Sequence, residues 1–350
     1  MAKSKTRSYF AAANGYHGFR SYFNEVFNPE KNEEIFILKG GPGTGKSSFM
    51  RKISEKFEDA GFNIDLIYCS SDVRSLDGII IEKDEKRVSL LDGTMPHQTD
   101  PKMPGAYENI INLGDSWNKN GLKKRKDEIS EITKTKSSHY KSAYEYLSLA
   151  GKTEEIILSL TEPIFRLCDD DIIEIISKNK KKTEGRKRET VLLSAFGKDG
   201  YKRVFADEYI KENNYSVKGE FGSEYLFMRR LFALAEREND IEILFPSPLS
   251  ENKPEGISLS SLLVFTKLGV GKEIDSSLYF DKGALSKRRP ILESLESAKE
   301  KLLESAKEEF SLASEAHFML EKIYSSEMDF KNNDFLLEKT CREIKEIFNY

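Results

Sequence analysis

The sequence predicts an α/β protein made of two tandem copies of one domain, each with a parallel sheet flanked by helices and each ending in a long helical hairpin. Three observations lead to this fold class. A strand, a glycine-rich turn, a helix and a strand follow one another early in the chain, parts of that pattern recur roughly 180 positions later, and both halves end in charged, helical sequence. The 350 residues suffice for two domains of ordinary size.

The first half opens with the pattern of a parallel α/β unit. Between its first two strands, Phe49, Ile53 and Phe57 share one face of a predicted helix, which Gly61 ends. Strands are predicted at 35–38 (IFIL), 64–69 (IDLIYC) and 87–92 (RVSLLD).

Long charged segments close both halves, at about 119–178 and about 284–348. We expect each to form a helical hairpin packed on its own domain. The second segment has apolar residues at roughly heptad spacing, so a coiled-coil surface for a protein partner or for self-association is the alternative. Lys299 and Glu309 interrupt that seam, which favours the hairpin. The apolar positions are Leu295, Leu302, Ala306, Ala313, Ala316, Leu320 and Ile323.

A basic, glycine-containing segment separates the two halves. It has no periodicity, and we interpret residues 181–188 as an exposed linker between a first domain at 1–180 and a second at 189–350. A nucleic-acid patch is the alternative, but no aromatic residues alternate with the charges, which makes a nucleic-acid partner the weaker prediction.

The duplication is predicted from ordered matches at one separation rather than from a single motif. Small residues followed by a glycine, an aromatic and a basic residue stand before each copy of the central pattern. The matched segments are 18–20 with 200–202, 38–53 (LKGGPGTGKSSFMRKI) with 217–231 (VKGEFGSEYLFMRRL), 63–71 with 240–248, and 77–79 with 255–257.

Composition and charge restrict the classes of partner. The net charge of −4 gives no electrostatic reason to expect nucleic acid or a membrane surface. The three cysteines are far apart and lack the spacing of metal ligands, so we expect reduced thiols in a cytoplasmic protein. The basic N-terminus is not followed by an apolar segment, and no apolar run approaches the ~18 residues needed to cross a bilayer.

The turn after the first strand, GGPGTGKS, satisfies G-x-x-x-x-G-K-[ST] in full, with a strand before it and an amphipathic helix after it. Its glycines allow consecutive backbone N–H groups to face one anion at the positive end of the helix. Lys46 is placed to reach β- and γ-phosphates, and the Ser47 hydroxyl to ligate Mg²⁺. The predicted nucleotide-binding residues are Gly40, Gly41, Pro42, Gly43, Thr44, Gly45, Lys46, Ser47 and Ser48.

An acidic residue at the end of a neighbouring strand is needed to hold Mg²⁺ through its water shell. Asp92 fits best, as a metal-binding and catalytic residue beside Lys46, and Asp72 is second. Asp92 also fits a simpler role as the cap of an Asp-Gly-Thr turn. His97 and Glu108, in the long loop that follows, are possible bases, although a structural role is favoured for each.

The second copy lacks this chemistry. Gly219 and Gly222 match the glycines of the first turn, but no lysine stands at the phosphate position, where the sequence is Ser-Glu-Tyr-Leu (223–226). Glu224 places a negative charge near where phosphates would lie, and the third strand of this half has no counterpart of Asp92. We therefore expect a second half that keeps its core and binds no nucleotide.

The combination of GFRSYF, FILKGGPGTGKSSFM, SLDGIII, LLDGTMPHQTDP and PGAYENIINLGDSW resembles a little-characterised bacterial family of ATPases or ATP-binding proteins with two P-loop-type halves in one chain. The resemblance covers nearly the whole chain and is strongest from about 7 to 117. It implies nucleotide binding at Gly40 to Ser47 and ATP in preference to GTP. Typical members have a recognisable P-loop in the second half as well, and this sequence departs from them there.

The expected function is a slow, Mg²⁺-dependent ATPase in the first half, braced or regulated by a nucleotide-free second half. One alternative is a small-molecule kinase that uses the loop after Asp92 as its acceptor pocket. Another is a nucleotide-gated interaction module that acts through its helices, since Gly93 and Thr94 follow Asp92 where a catalytic glutamate would be expected.

Overall fold

The computed structural model describes residues 5–177, 188–204, 209–237, 241–250 and 252–350. The predicted linker at 181–188 lies outside these residues except for Arg188. The α/β class is confirmed, because two six-stranded sheets are flanked by helices. None of the helices in the described ranges is long and apolar enough to cross a membrane.

Strands come first in the first half, and long helices follow. The strands are β1 (Thr6–Phe10), β2 (Ala12–Gly15), β3 (Gly18–Ser21), β4 (Glu34–Lys39), β5 (Asn63–Tyr68), β6 (Leu76–Lys83), β7 (Lys86–Asp92) and β8 (Glu108–Asn112). The helices are α1 (Phe23–Val26), α2 (Lys46–Asp59), α3 (Lys119–Lys124), α4 (Lys126–Thr161) and α5 (Asp169–Ser177).

The first sheet has the strand order β1-β5-β6-β7-β4-β8, and β2 and β3 form a separate hairpin. All three strands predicted for this half are present, as β4, β5 and β7. The sheet is not wholly parallel, because β6 runs antiparallel to both of its neighbours. β4 is parallel to β7 and to β8, so the C-terminal ends of these three strands lie at one edge of the sheet.

The second half repeats this order of elements. Its strands are β9 (Glu189–Thr190), β10 (Ser194–Gly197), β11 (Gly200–Arg203), β12 (Asn213–Lys218), β13 (Ile243–Pro246), β14 (Pro254–Leu259), β15 (Leu262–Thr266) and β16 (Lys272–Asp275), and its helices are α6 (Ser223–Arg237), α7 (Lys282–Ser326) and α8 (Phe330–Ile347). Its sheet order, β9-β13-β14-β15-β12-β16, is that of the first sheet strand for strand, and β10 and β11 form the matching hairpin. The two halves thus have one topology, as the repeated motifs predict.

The C-terminal helix of each half packs on the other half. Leu337, Cys341 and Ile344 of α8 lie in the core that contains Phe49 and Ile53 of α2. In the same way Ile172 and Ile176 of α5 lie in the core built around α6. This arrangement differs from the predicted hairpins, in which each charged segment packs on its own domain. An apolar helix face specifies burial but not which of two similar sheets it covers.

The long helices α4 and α7 also pair with each other rather than within their halves, and they run antiparallel. Ala143 and Leu147 of α4 share a buried cluster with Ala306 and Phe310 of α7. The charges that interrupt the apolar seam are matched across the pair: His139 Nδ1 lies 2.7 Å from a Glu309 carboxylate oxygen, and Lys299 Nζ lies 4.0 Å from Glu154. The apolar seam of α7 is therefore covered by α4 of the same chain.

Candidate functional site

The turn between β4 and α2 is a glycine-dependent loop at the beginning of a 14-residue helix. Gly40, Gly43 and Gly45 have φ values of 151°, 69° and 86°, which side-chain-bearing residues rarely adopt. The Thr44 side chain is fully buried and donates to the Gly41 carbonyl oxygen over 2.9 Å. The backbone N–H groups at the beginning of α2 have no intrahelical acceptors, so this end of the helix attracts an anion.

Lys46 and Asp92 meet at this loop, as the sequence predicts. Lys46 Nζ donates to the carbonyl oxygens of Gly40 and Gly41 over 2.9 and 3.0 Å and lies 3.6 Å from Asp92 Oδ2. The pairing of β7 with β4 brings Asp92 there, since Leu38 and Asp92 are register partners. Asp92 Oδ1 also accepts from the Thr94 amide and hydroxyl over 2.9 and 2.6 Å. Asp92 therefore caps its turn with one oxygen and faces Lys46 with the other.

Ser47 and Asp92 are the two predicted metal ligands. Ser47 Oγ accepts from the Leu76 amide over 3.0 Å, which leaves its second lone pair available, and Ser48 is exposed on α2. Within the described ranges there is no group of three or more His, Cys, Asp or Glu residues that could hold a metal. One hydroxyl and one carboxylate fit Mg²⁺, which keeps most of its waters and takes further oxygens from phosphates.

The two candidate bases have structural positions. His97 Nδ1 lies 3.0 Å from the Asp92 carbonyl oxygen, its Nε2 lies 3.3 Å from Asp77, and its ring stacks on Phe23. Burial lowers the pKa of His97, but Asp77 and Asp92 together outweigh burial and the net shift is upward. Glu108 is at the beginning of β8, the end opposite the loop, and accepts from two backbone amides of its own loop.

Helices of the second half cover the loop, which the sequence analysis does not predict. A Cβ added to Gly43 would lie only 2.5 Å from the Glu321 carbonyl oxygen of α7. Asn333 of α8 donates through Nδ2 to the Thr44 carbonyl oxygen over 2.9 Å. Trp117 and Tyr324 stand beside Gly41, with ring centroids 5.4 Å apart. No local motif marks Glu321, Tyr324 or Asn333, which lie about 280 to 290 positions after the loop.

Burial and the charge of Lys46 shift the pKa values of side chains on α4 and α7 near the loop. Burial and the charge of Lys46 lower the pKa of Lys136 on α4. Partial burial and the charges of Lys136 and Lys46 lower the pKa of His317 on α7 to about 4, so its imidazole is neutral at pH 7. Partial burial raises the pKa of Glu321, against the effect of Lys46. The surroundings therefore favour an anion at the loop.

The corresponding loop of the second half is filled by apolar groups. Phe221 is buried at φ 54° among residues of α4 and α7, including Ile157 and Leu292. Glu224 stands in the first turn of α6, Lys267 lies 3.5 Å from its Oε1, and its Oε2 is buried without a hydrogen bond. Thr266 has the register position that Asp92 has in the first half. The second loop therefore differs from the first in shape as well as in sequence.

Comparison of this chain with protein-family models, with curated proteins and with solved structures finds no match in any of the three. The candidate site therefore rests on its motif and on the geometry around it. Both place one loop, Lys46 and Asp92 together at the edge of the first sheet.

Proposed function

We propose that the first half binds Mg²⁺-ATP at residues 40–48 and hydrolyses it slowly, with GTP as the less favoured nucleotide. One observation supports this most strongly: the complete phosphate-loop sequence adopts a left-handed, glycine-dependent turn, and its lysine lies 3.6 Å from the strand-end Asp92. The preference for ATP comes from the family resemblance alone.

Each residue has a defined part in this proposal. The loop amides bind phosphate oxygens at the positive end of α2, and Lys46 exchanges its bonds to the Gly40 and Gly41 carbonyls for bonds to phosphate. Ser47 and Asp92 hold Mg²⁺, which when bound neutralises charge on the transferred phosphoryl group. Turnover is slow because the two groups after Asp92 are Gly93 and Thr94, and the nearby His97 has both ring nitrogens engaged.

The second half acts as a brace. Phe221 fills the turn where phosphate would lie, and Glu224 in the first turn of α6 places a negative charge nearby. Its helix α8 completes the core against α2 and holds the loop through Asn333. Because α5 packs on the second half and α8 on the first, the proposal is tested in the full chain rather than in separated halves.

The test is the rise in melting temperature caused by Mg²⁺-ATP in the full chain. At a hundred times Kd a ligand adds about 2.7 kcal/mol to the stability of the native state. We expect Lys46→Ala to lose this rise and Lys52→Ala to keep it, because Lys52 lies on the same helix and makes only an exposed ion pair with Asp334. A full rise in Lys46→Ala would contradict the proposal. Asp92→Asn should retain some binding and lose phosphate release.

A nucleotide-gated interaction module is the second candidate, favoured by the contact between Gly43 and Glu321. A phosphate group entering the loop would press on α7, which pairs along its length with α4. In that case nucleotide would change the exposure of α7 to hydrogen exchange while phosphate release stayed at background. Measurable turnover that depends on Asp92 would select the ATPase instead.

A further inference from the structure

The hairpin formed by β10 and β11 inserts its two-residue turn into the first half. A Cβ added to Gly197 would lie 2.7 Å from the Ser70 carbonyl oxygen and 2.9 Å from that of Ser71. Asn14 donates to the Phe196 carbonyl oxygen over 2.8 Å and fixes the hairpin from the other side. The loop after β5 and this turn of the second half are therefore in direct backbone contact.

Lys198 stands in that turn and points into the first half. Its side chain is only 11% exposed and pairs with Asp72. Asp72 is shared, because Arg74 donates to it from the backbone and from the guanidinium over 3.0 to 3.1 Å. These bonds outweigh burial and lower the pKa of Asp72 to about 2. With two cations on one carboxylate, Lys198 retains positive charge for a further anion.

Lys136 lies on α4 one turn before His139, which contacts Glu309 of α7, and Lys136 itself is unpaired. In the part of the chain that the structure describes, it makes no hydrogen bond and no ion pair, although it is partly buried. Burial and the charge of Lys46 lower the pKa of Lys136, and the charges of Lys136, Lys46 and Lys198 all lower the pKa of His317. Lys46 has Asp92 as its counter-ion, but Lys136 has none, and a lysine held near another cation without a carboxylate of its own is unfavourable unless an anion joins it.

The second half offers an internal comparison, because its elements repeat. Gly15 and Gly18 flank the turn of the β2–β3 hairpin as Gly197 and Gly200 flank that of β10–β11, so Tyr16 has the place of Lys198. This first turn contacts the loop after β13 in the same way, through Gly15 and the Leu249 carbonyl oxygen. The turn that reaches the intact phosphate loop thus has a lysine, and the turn that reaches the eroded loop has a buried tyrosine.

The long helices show the same asymmetry. Asn118 caps α3, which leads into α4, and Asp281 caps α7, so these two residues have the same place in the two halves. Lys136 is as far from Asn118 as Lys299 is from Asp281, and in the same way Glu154 is equivalent to His317. Beside the eroded loop, Glu154 pairs with Lys253 and lies 4.0 Å from Lys299. Beside the intact loop, the neutral His317 leaves Lys136 without a carboxylate partner. Lys299 thus has a carboxylate nearby, and the equivalent Lys136 has none within the described residues.

We propose that Lys136 and Lys198 bind the terminal phosphate of the nucleotide held by the first-half loop, so that one site is built by both halves of the chain. This inference rests on the proposed function. The loop amides and Lys46 bind the phosphates nearest the helix, and Lys136 and Lys198 bind the γ-phosphate from α4 and from the second half. A cation delivered by a second domain has this role in other nucleoside triphosphatases.

The test compares ATP and ADP affinity by calorimetry in the full chain. We expect Lys198→Met and Lys136→Met each to weaken ATP binding about tenfold and to change ADP binding less than twofold, because only ATP has the γ-phosphate; tenfold is the size of one charge-assisted contact. Lys202→Met on the same hairpin and Lys134→Met on the same helix, both exposed, are the matched controls. Lys198→Arg should restore most of the affinity.

The outcomes separate this inference from the proposed function. If ATP binds, Lys46→Ala abolishes binding and both methionine variants bind ATP like their controls, the inference is wrong and the function stands. If the wild-type chain binds no nucleotide, both are wrong. Equal losses for ATP and ADP would also overturn the γ-phosphate assignment. Folding is checked by melting temperature, and Lys136→Met, which breaks no described bond, remains informative if Lys198→Met is destabilised.

Discussion

Glu321 lies directly over Gly43. The Glu321 carbonyl oxygen occupies the space that a Cβ on Gly43 would need, at 2.5 Å, and Gly43 itself has a φ of 69°. Gly43 is therefore required for two reasons: its backbone conformation is left-handed, and a helix of the other half approaches it closely. The loop therefore packs as one unit with α7 and α8, and a substitution in the loop or in these helices should change the stability of the whole unit.

Gly43→Ala should destabilise the chain by about 2–4 kcal/mol, which combines left-handed strain with a backbone clash. Gly61→Ala is the matched control, because Gly61 has a φ of 81° but nothing within 4 Å of the added methyl group. It should cost only about 1–2 kcal/mol. Urea unfolding followed through the single tryptophan, Trp117, which stands beside Gly41, measures both. Equal losses of unfolding free energy in the two variants would show that α7 moves aside to accommodate the methyl group.

Asn333→Ala should cost about 1–2 kcal/mol, since the buried Thr44 carbonyl oxygen loses the amide that donates to it over 2.9 Å. Asn332→Ala is its neighbouring control: Asn332 donates to Ser116 Oγ at an exposed site and should cost below about 0.5 kcal/mol. The same unfolding measurement applies. If the two variants were equally stable, the bond between α8 and the loop would not contribute to the fold.

The sequence predicts the part of the site that local pattern and parallel pairing determine. The strands containing IFIL, IDLIYC and RVSLLD form within one residue of the predicted bounds, and Asp92 reaches Lys46 because parallel strands end at one edge. The sequence does not predict β6, because its run of isoleucines has no alternation to distinguish a strand from a helix.

The exchange of helices could not be predicted from either half alone. Because the halves share one topology, α5 and α8 each find a similar apolar groove on both sheets, and only the lengths and connections of the whole chain select between them. Asn333 reaches the loop through that exchange, whereas Lys198 stands on the β10–β11 hairpin of the second half and Lys136 on α4 of the first. Single polar residues this far from a motif give no sequence signal of their own.

The stability contributed by His97 should depend on pH. Asp77 raises the pKa of His97 above its ordinary value of 6.5, despite burial, so the imidazolium is favoured in the folded chain. Its contribution is complete below pH 6.5 and is lost as pH rises through the raised pKa. The gap in melting temperature between the wild type and His97→Gln should therefore narrow from pH 6 to pH 9.

Asp77→Asn is the control for this effect, because it leaves burial to lower the pKa of His97. Proton NMR can follow the imidazole directly, since the chain has four histidines. We expect its titration to move to lower pH in Asp77→Asn. A gap in melting temperature that stayed constant or widened with rising pH would mean that His97 is neutral in the folded chain.

Nucleotide binding should be accompanied by proton uptake at His317 if phosphate lies among the lysines around it. Burial and the charges of Lys136 and Lys46 keep the pKa of His317 at about 4, and the other charged groups facing it are Asp72, Lys198 and Glu321. A triphosphate would neutralise the lysines and raise that pKa, so ATP affinity should increase as pH falls from 7 to 5. The full gain of about tenfold per unit of rise is reached only below the pKa of about 4 that His317 has without nucleotide. The titration of ATP itself is common to all variants.

Calorimetry in two buffers of different ionisation enthalpy measures the protons taken up on binding. It should show uptake in the wild type and in His139→Gln, and none in His317→Gln. An unchanged pH dependence in His317→Gln would place the phosphate elsewhere.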